Sequence, residues 1–303
     1  MVIQVNHLSK QFNNFQAVDD LSFSVNQGEV YGFLGQNGAG KSTTIRMLLS
    51  LIKPTNGNIS IFGYSIDRHR ERILERVGAV IEKPDLYRYL TGYENLNLFA
   101  KLSGKKISKQ GVMNCLGVVG LEKRAHDPVR VYSQGMKQRL GIAIALVHDP
   151  SLIILDEPTN GLDPQGIADI RNLIMTLSKD QHKTVLVSSH LLSEIEQVAD
   201  RMLIIDKGKK VVEGSVKELL NPNKVQLEIV ATDMQHTGLV IKESNWSTSI
   251  VKITAEKILI QTATSSVPEL TKYLVDHGVG LLSLRAVNSL EAYFLSLTSG
   301  NEV

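Results

Sequence analysis

Residues 35–43 read Gly35-Gln36-Asn37-Gly38-Ala39-Gly40-Lys41-Ser42-Thr43. This is a complete GxxxxGK[ST] pattern, a loop whose backbone N–H groups cradle phosphate oxygens. The apolar run from Glu29 to Leu34 predicts a buried strand before the loop, and Ser42 to Ser50 predicts a helix after it. The positive end of that helix adds to the attraction for phosphate. We therefore expect a nucleoside triphosphate here, with Lys41 at the β- and γ-phosphates and the Ser42 hydroxyl on Mg²⁺.

The composition of the chain excludes several classes of protein. Its 303 residues are enough for two domains, and 33 Lys and Arg against 31 Asp and Glu give a net charge of +2. That balance gives no sign of a nucleic-acid partner. The single cysteine, Cys115, excludes an internal disulfide and fits a reducing compartment. With neither a signal-peptide pattern nor a run of ~20 apolar residues, we expect a cytoplasmic protein.

Hydrophobic periodicity predicts an α/β domain over residues 1–222. Alternating apolar residues predict strands in the first 65 residues, and helical spacing predicts a helical subdomain over about residues 89–150. Leu152 to Leu155 is a continuous apolar run typical of a central parallel strand. A predicted helix (Gln165–Ser178) and a predicted strand (Thr184–Val187) follow it. This alternation favours a parallel sheet.

A second domain is predicted over residues 223–303, after the turn Asn221-Pro222-Asn223. Before this turn, Leu203 to Val212 predicts a hairpin and Ser215 to Leu220 a short helix. After it we expect a small α+β unit, with strand Val225–Val230, a hairpin near residues 250–260, helix Val267–Asp276, strand Gly280–Val287 and helix Ser289–Leu297.

Two carboxylates follow the apolar run Leu152–Leu155. Asp156 and Glu157 would lie at the carboxyl end of a parallel strand, where ligands bind in open α/β sheets. In combination with the phosphate loop, we expect Asp156 to hold Mg²⁺ and Glu157 to polarise the attacking water. Without the loop, the same residues could simply end a buried strand.

A resemblance to a known family narrows the class of nucleotide-binding protein to which the chain could belong. Tyr132-Ser133-Gln134-Gly135-Met136 stands at the start of a predicted helix, where the chain resembles the ATP-binding subunits of ABC transporters. Ser133 and Gly135 match the serine and the second glycine of that family's LSGGQ signature, whereas Tyr132, Gln134 and Met136 depart from it. The resemblance implies that residues 133–135, including Gln134, face a γ-phosphate. Taken alone, Ser133 would be only a helix cap.

Three further residues match the family's motifs in their order along the chain. Thr159-Asn160-Gly161-Leu162-Asp163 matches the D-loop at its Leu-Asp ending, and His190 matches the switch histidine that contacts the γ-phosphate. Phe12 occupies the position of the aromatic residue that stacks on adenine. A lone histidine or phenylalanine would otherwise be interpreted as structural.

The resemblance covers residues 1 to about 220 and implies a P-loop NTPase fold of ABC type. It also implies a head-to-tail dimer, in which ATP lies between the phosphate loop of one copy and Ser133 of the other. In most of the family a glutamine precedes the helical subdomain, but this chain has Glu82 there. We expect Glu82 near Mg²⁺, where its negative charge would strengthen ligation.

Glu82-Lys83-Pro84 and residues 132–143 resemble the bacitracin-resistance and lantibiotic-immunity branch of exporter ATPases. The end of the chain, residues 289–295, resembles the carboxy-terminal extensions of drug-export ATPases. The leading hypothesis is therefore an ATP-hydrolysing subunit that powers a separate transmembrane exporter of peptide antibiotics or drugs. We expect it to lie against the inner face of the cell membrane, with the permease near Glu82 to Tyr93.

Other functions remain open at this stage. The chain could serve an importer or an exporter of lipids or polysaccharides, because these share the hydrolytic machinery. A DNA-repair ATPase of similar head fold would need a long coiled coil before Ser133, and no sustained heptad pattern lies there. A translation-factor ATPase would carry a second phosphate loop, which the sequence lacks. A stand-alone kinase would leave Ser133, Asp163 and His190 unexplained.

Overall fold

The computed structural model describes residues 1–219 and 224–286, and the chain divides into two compact units between Ser215 and Val216. The strands of the first unit are β1 (Ile3–Phe12), β2 (Phe15–Val25), β3 (Val30–Leu34), β4 (Asn56–Ile61), β5 (Tyr64–Ser65), β6 (Val77–Val80), β7 (Leu152–Leu155), β8 (Thr184–Ser189), β9 (Arg201–Asp206) and β10 (Lys209–Ser215). Its helices are α1 (Lys41–Leu48), α2 (Arg70–Leu74), α3 (Gly92–Leu102), α4 (Lys109–Val118), α5 (Gln134–Leu146), α6 (Pro164–Met175) and α7 (Leu192–Glu196). The predicted domain boundary at residues 222/223 stays a prediction, because residues 220–223 lie outside the described part of the chain.

The first unit contains a six-stranded sheet in the order β10-β9-β3-β8-β7-β6, parallel except for β10. Every residue of β3, β7 and β8 is buried, as expected for central parallel strands. In the register of these strands Leu34 pairs with Ser189, and Leu155 pairs with both Val187 and Val80. The parallel sheet that the sequence favoured is confirmed, and the carboxyl ends of β3, β8, β7 and β6 meet at one edge of it.

A second, antiparallel sheet has the order β2-β1-β4-β5. Side chains of this sheet, of the parallel sheet and of α1 form one hydrophobic core, for example Ile3, Phe33 and Ile45. The predicted helix Ser42–Ser50 is α1, and it ends before Ser50, whose φ of +54° breaks the helix. The core fixes α1 directly after the phosphate loop.

The middle of the chain is helical, as predicted. A capping box begins α3, since the Thr91 side chain accepts the Glu94 N–H and the Glu94 carboxylate accepts the Thr91 N–H. Helix α5 begins at Gln134, as expected for a helix that starts at residues 132–136, because the Ser133 side chain caps it. Cys115 lies half-buried in α4, where burial raises its pKa to about 12.

The second unit contains α8 (Val216–Leu219), β11 (Lys224–Ala231), α9 (Met234–Lys242), β12 (Ile250–Ile253), β13 (Ile258–Ala263), α10 (Val267–Asp276) and β14 (Leu281–Ala286). Its antiparallel sheet has the order β12-β13-β11-β14, so β11 to β14 with α9 and α10 form a split β-α-β arrangement. Helix α9 was not predicted, because Thr237 and Gly238 interrupt its apolar pattern. The predicted helix Ser289–Leu297 lies outside the described residues.

Each unit has its own hydrophobic core, and the core of the second unit includes Leu227, Ile229, Ile241, Ile260 and Leu270. Within residues 1–219 and 224–286, no helix has both the length and the apolar character to cross a bilayer. The two separate cores indicate that the first unit can fold by itself.

A chain that ends at residue 222 tests this independence. We expect it to unfold cooperatively on heating and to bind ATP with the affinity of the full chain, because all residues of the candidate site lie before the cut. Circular dichroism and a fluorescent-nucleotide titration measure the two properties. Aggregation of the shortened chain, or loss of binding, would show that the second unit is needed for folding of the first.

Candidate nucleotide site

The phosphate loop follows β3 and is fixed by its neighbours. Gly40 has a φ of +104°, and a Cβ added to it would lie 2.5 Å from the carbonyl oxygen of Ala17, so this position requires glycine. The Gly208 N–H donates to the Ala39 carbonyl at 3.0 Å and braces the loop from the β9–β10 turn. Residues 36–38 are exposed. The loop is therefore rigid at its base and open at its tip.

Lys41 connects the loop to the end of β7. Its ammonium donates to the carbonyl oxygens of Gly35, at 2.6 Å, and Gln36, at 3.2 Å. The same nitrogen lies 3.0 Å from Oε1 of Glu157, and the Lys41 side chain is only 5 % exposed. The two loop carbonyls accept hydrogen bonds from the ammonium, whereas its contact with Glu157 is an ion pair.

Asp156 is buried at the carboxyl end of β7. Its Oδ1 accepts the Ser188 hydroxyl at 2.5 Å, and the Ser188 Oγ accepts the backbone N–H of Glu157 at 2.9 Å. The other oxygen, Oδ2, has no hydrogen-bond partner among the described residues. A buried anionic oxygen without a donor suits a hard cation such as Mg²⁺. Ser42, at the start of α1, offers the hydroxyl that the motif assigns to the same ion.

Glu157 lies between the lysine and His190. While its Oε1 contacts Lys41, its Oε2 lies 2.7 Å from Nδ1 of His190, and its side chain is 17 % exposed. Its φ of +49° is in the left-handed region, which is uncommon for residues other than glycine. The end of β7 therefore turns the carboxylate towards both basic groups.

Glu82 lies beside this group but is paired with a different residue. The Asp156 N–H donates to the Val80 carbonyl at 2.9 Å, which places the end of β6 next to Asp156. The Glu82 carboxylate accepts a hydrogen bond from the Arg46 guanidinium, and both side chains are partly exposed. Arg46 lies one turn beyond Ser42 on the same face of α1. The charge expected to strengthen Mg²⁺ ligation is therefore balanced by Arg46.

The residues of the signature segment form a second group. The exposed Ser133 accepts the Met136 N–H at 3.2 Å at the start of α5, and Gln134 is also exposed. A Cβ added to Gly135 would lie 4.0 Å from Cα of Gly166 in α6. Asp163 caps α6, since its Oδ1 accepts the Gly166 N–H at 3.0 Å. The beginnings of α5 and α6 thus present Ser133 and Asp163 on neighbouring surfaces.

Phe12 ends β1 and is 44 % exposed, so it is not part of the core. The Lys10 ammonium lies 4.9 Å from the centre of its ring. An exposed aromatic face of this kind is available for stacking on a base.

Sequence reasoning missed several residues of the site. Ser188 could have been found by aligning the parallel strands, because the pairing of Leu155 with Val187 places it opposite Asp156. Arg46 could have been found by helical spacing from Ser42. Nothing in the sequence pattern pointed to Glu194, whose carboxylate accepts hydrogen bonds from two hydroxyls near the site.

Comparisons of the sequence with a family model and with curated proteins agree on one family. The family model described as ABC transporter matches residues 18–160. The bacitracin transport ATP-binding protein BcrA of Bacillus licheniformis is 42% identical over 100% of this chain and 99% of its own length. The lantibiotic transport ATP-binding protein SrtF of Streptococcus pyogenes is 39% identical over 75% of this chain and 99% of its own length.

Solved structures show the same likeness. The structure of an ATP binding subunit of an ABC transporter superposes with a TM-score of 0.65 and 32% identity, covering 73% of this chain and 92% of that one. The dimeric structure of MJ0796, a bacterial ABC transporter cassette, superposes with a TM-score of 0.64 and 25% identity, covering 71% and 98% of the two chains.

The pairing of Arg46 with Glu82 gives a testable prediction. Glu82→Gln leaves an unpaired positive charge beside the candidate cation site, so we expect the apparent Mg²⁺ affinity of nucleotide binding to fall about threefold to tenfold. Arg46→Met should raise that affinity, and the double variant should return close to the starting value. Titration of a fluorescent ATP analogue with Mg²⁺ measures all four proteins. An unchanged Mg²⁺ affinity in both single variants, or a double variant that stays as weak as Glu82→Gln, would show that this pair does not set the charge beside the cation site.

Proposed function

The chain belongs to the ABC transporter family as an ATP-binding and ATP-hydrolysing subunit, and we propose that it powers a separate transmembrane exporter of peptide antibiotics. The full-length similarity to a protein named for bacitracin transport supports this substrate class, as does the similarity to one named for lantibiotic transport. The observation that carries the hydrolytic role is the arrangement of Glu157 between Lys41 and His190 at the end of β7.

In the proposed mechanism, nucleotide binding redistributes the contacts of Lys41. Its ammonium, now held by two loop carbonyls and Glu157, moves its donors to the β- and γ-phosphate oxygens. Asp156 and Ser42 would hold Mg²⁺, which neutralises charge on the phosphates when it is bound. The buried Oδ2 of Asp156 supports this assignment because it has no donor among the described residues. Glu157 is then released from Lys41.

Once released, Glu157 orients and polarises the attacking water. The contact between its Oε2 and Nδ1 of His190 holds the carboxylate in place while Oε1 is free to accept a proton or a hydrogen bond. Since Nδ1 faces the carboxylate, the opposite ring nitrogen of His190 is left to face the γ-phosphate. Lys41, Glu157 and His190 therefore act as a connected group rather than as separate residues.

We propose that a second copy completes the site. Ser133 accepts the Met136 N–H in α5, and a Cβ added to Gly135 would lie 4.0 Å from Gly166 in α6. Among the described residues, no hydrogen bond or ion pair joins residues 133–135 to the phosphate loop of their own chain. Because Ser133 and Gln134 are exposed at the start of a helix, they can meet the γ-phosphate bound to a partner copy, with Asp163 beside them. The likeness to a cassette solved as a dimer supports this pairing.

The transmembrane partner should dock near Glu82 to Tyr93. Tyr87 and Tyr89 are 55 % and 89 % exposed, which is unusual for large aromatic side chains and is typical of interaction surfaces. Docking here would place the subunit at the inner face of the membrane. It would also connect the partner to Glu82 and so to the end of β6.

Glu157→Gln tests the hydrolytic role. Glutamine keeps the size of the side chain but cannot accept a proton, so we expect ATP turnover to fall about 10²-fold or more while ATP affinity stays within a few-fold. Steady-state phosphate release and nucleotide titration measure the two quantities. Near-normal turnover would contradict the role assigned to Glu157.

Ser133→Arg tests the shared site. A bulky cation at the start of α5 should block ATP-dependent dimer formation and leave nucleotide binding by the single chain unchanged, because no hydrogen bond among the described residues joins Ser133 to the phosphate loop of its own copy. Light scattering in the Glu157→Gln background, where ATP is not consumed, measures the dimer. A dimer of unchanged mass would mean that the copies do not share the site through Ser133.

A further inference from the structure

The carboxylate of Glu194, on the short helix α7, joins two segments of the chain. Its Oε2 accepts the Thr159 hydroxyl at 2.7 Å and the Ser189 hydroxyl at 2.7 Å. A carboxylate only accepts hydrogen bonds, so both hydroxyls must donate to it. The Ser189 Oγ in turn accepts the Leu191 N–H at 3.0 Å. Hydrogen bonds to an ionised group are about twice as strong as neutral ones, so the Glu194 carboxylate holds the two segments firmly together. We call Glu194, Thr159 and Ser189 the junction.

The two joined segments carry residues of the proposed site. Thr159 lies two residues after Glu157, and its carbonyl accepts the Leu162 N–H at 3.1 Å in the turn that leads to Asp163. Ser189 ends β8 immediately before His190, and its carbonyl accepts the Gly35 N–H at 3.4 Å at the base of the phosphate loop. Glu194 thus connects the loop of Asp163 to the strand end that presents His190.

Packing around this junction is incomplete. A cavity of about 200 Å³ lies beside it, lined by Thr159, Ser189 and Glu194 together with apolar side chains that include Ile167, Ile174 and Val187. Well-packed interiors fix side-chain positions through many close contacts, and a cavity removes part of those contacts. The spacing of the two segments therefore depends more on the hydrogen bonds of Glu194 than on packing.

We propose that Glu194 is a positioning residue that couples the loop of Asp163 to His190. Through its two hydrogen bonds, a displacement of Thr159 moves Ser189 and with it the adjacent histidine. This inference rests on the proposed function, which places Asp163 at the second copy and His190 at the γ-phosphate. Contact with the partner would then be transmitted to the histidine within each copy.

Substitutions of Glu194 and Thr159 test the coupling. Glu194→Ala should lower kcat about tenfold or more and change KM for ATP less than twofold, because Glu194 bonds to Ser189 beside His190 and makes no hydrogen bond to the phosphate loop itself among the described residues. Glu194→Gln keeps an acceptor oxygen and should restore most of the rate. Thr159→Val removes one donor at almost constant size and should have an intermediate effect that disappears in the Glu194→Ala background.

Glu196→Ala is the matched control. Glu196 lies on the same helix, and its side chain makes no hydrogen bond or ion pair in the part of the chain that the structure describes, so the loss of this carboxylate should leave kcat unchanged. NMR of the His190 ring without nucleotide provides a readout that a merely stabilising role would not move. We expect its signals to shift in Glu194→Ala and Thr159→Val and to stay in place in Glu196→Ala.

The outcomes separate this inference from the proposed function. Normal turnover by Glu194→Ala or unmoved His190 signals would overturn the coupling, and so would additive effects of Thr159→Val and Glu194→Ala. If Glu194→Ala fails to fold, Thr159→Val with its unchanged volume decides the question through the same two readouts. Glu157→Gln is measured in parallel. Normal hydrolysis by that variant would overturn the proposed function, whereas its loss together with a normal Glu194→Ala would overturn only the coupling.

Discussion

Parallel hydrogen bonding between β3, β8, β7 and β6 brings four strand ends, distant in the sequence, to one edge of the sheet. The register leaves little freedom, because a slip by one residue would exchange the side chains that pack on the two buried faces of the sheet. In this register Ser188 stands between the two carboxylates of the β7 end, bonded to the side chain of Asp156 and to the backbone of Glu157. The contacts of Glu157 with Lys41 and with His190 depend on this alignment, because these residues follow the ends of β7, β3 and β8.

The charges at that edge are almost, but not completely, balanced. Burying a charge is costly unless it is paired, and Lys41 meets this cost through two carbonyls and Glu157. Glu157 is shared with His190, while Arg46 balances Glu82 farther out. Two buried carboxylate oxygens of the described residues have no hydrogen-bond partner, Oε1 of Glu157 and Oδ2 of Asp156, and only the first has Lys41 as an ion-pair partner. The proposed cation would therefore be held at Oδ2 of Asp156.

The parts of the fold that depend on local sequence could be predicted. The phosphate loop, the buried strand Leu152–Leu155 and the cap at Ser133 each follow from residue type and spacing, and the structure confirms their conformations. Pairings between distant side chains could not be predicted. Helical spacing places Arg46 on the same face as Ser42, but no local signal encodes its pairing with Glu82 or that of Glu194 with Thr159. Helix α9 was missed because Thr237 and Gly238 interrupt its apolar pattern. This leaves Asp233, whose carboxylate caps the helix, as its main sequence signal.

The left-handed backbone conformation of Glu157 lowers the stability of the fold at a position where the proposed mechanism uses a side chain. A side chain held at positive φ costs about 1–3 kcal/mol, whereas glycine adopts this conformation freely. The proposed mechanism nevertheless requires a carboxylate there. Selection of variants for heat resistance alone would therefore favour glycine or asparagine at this position, and under the proposed mechanism such variants would be more stable but unable to hydrolyse ATP.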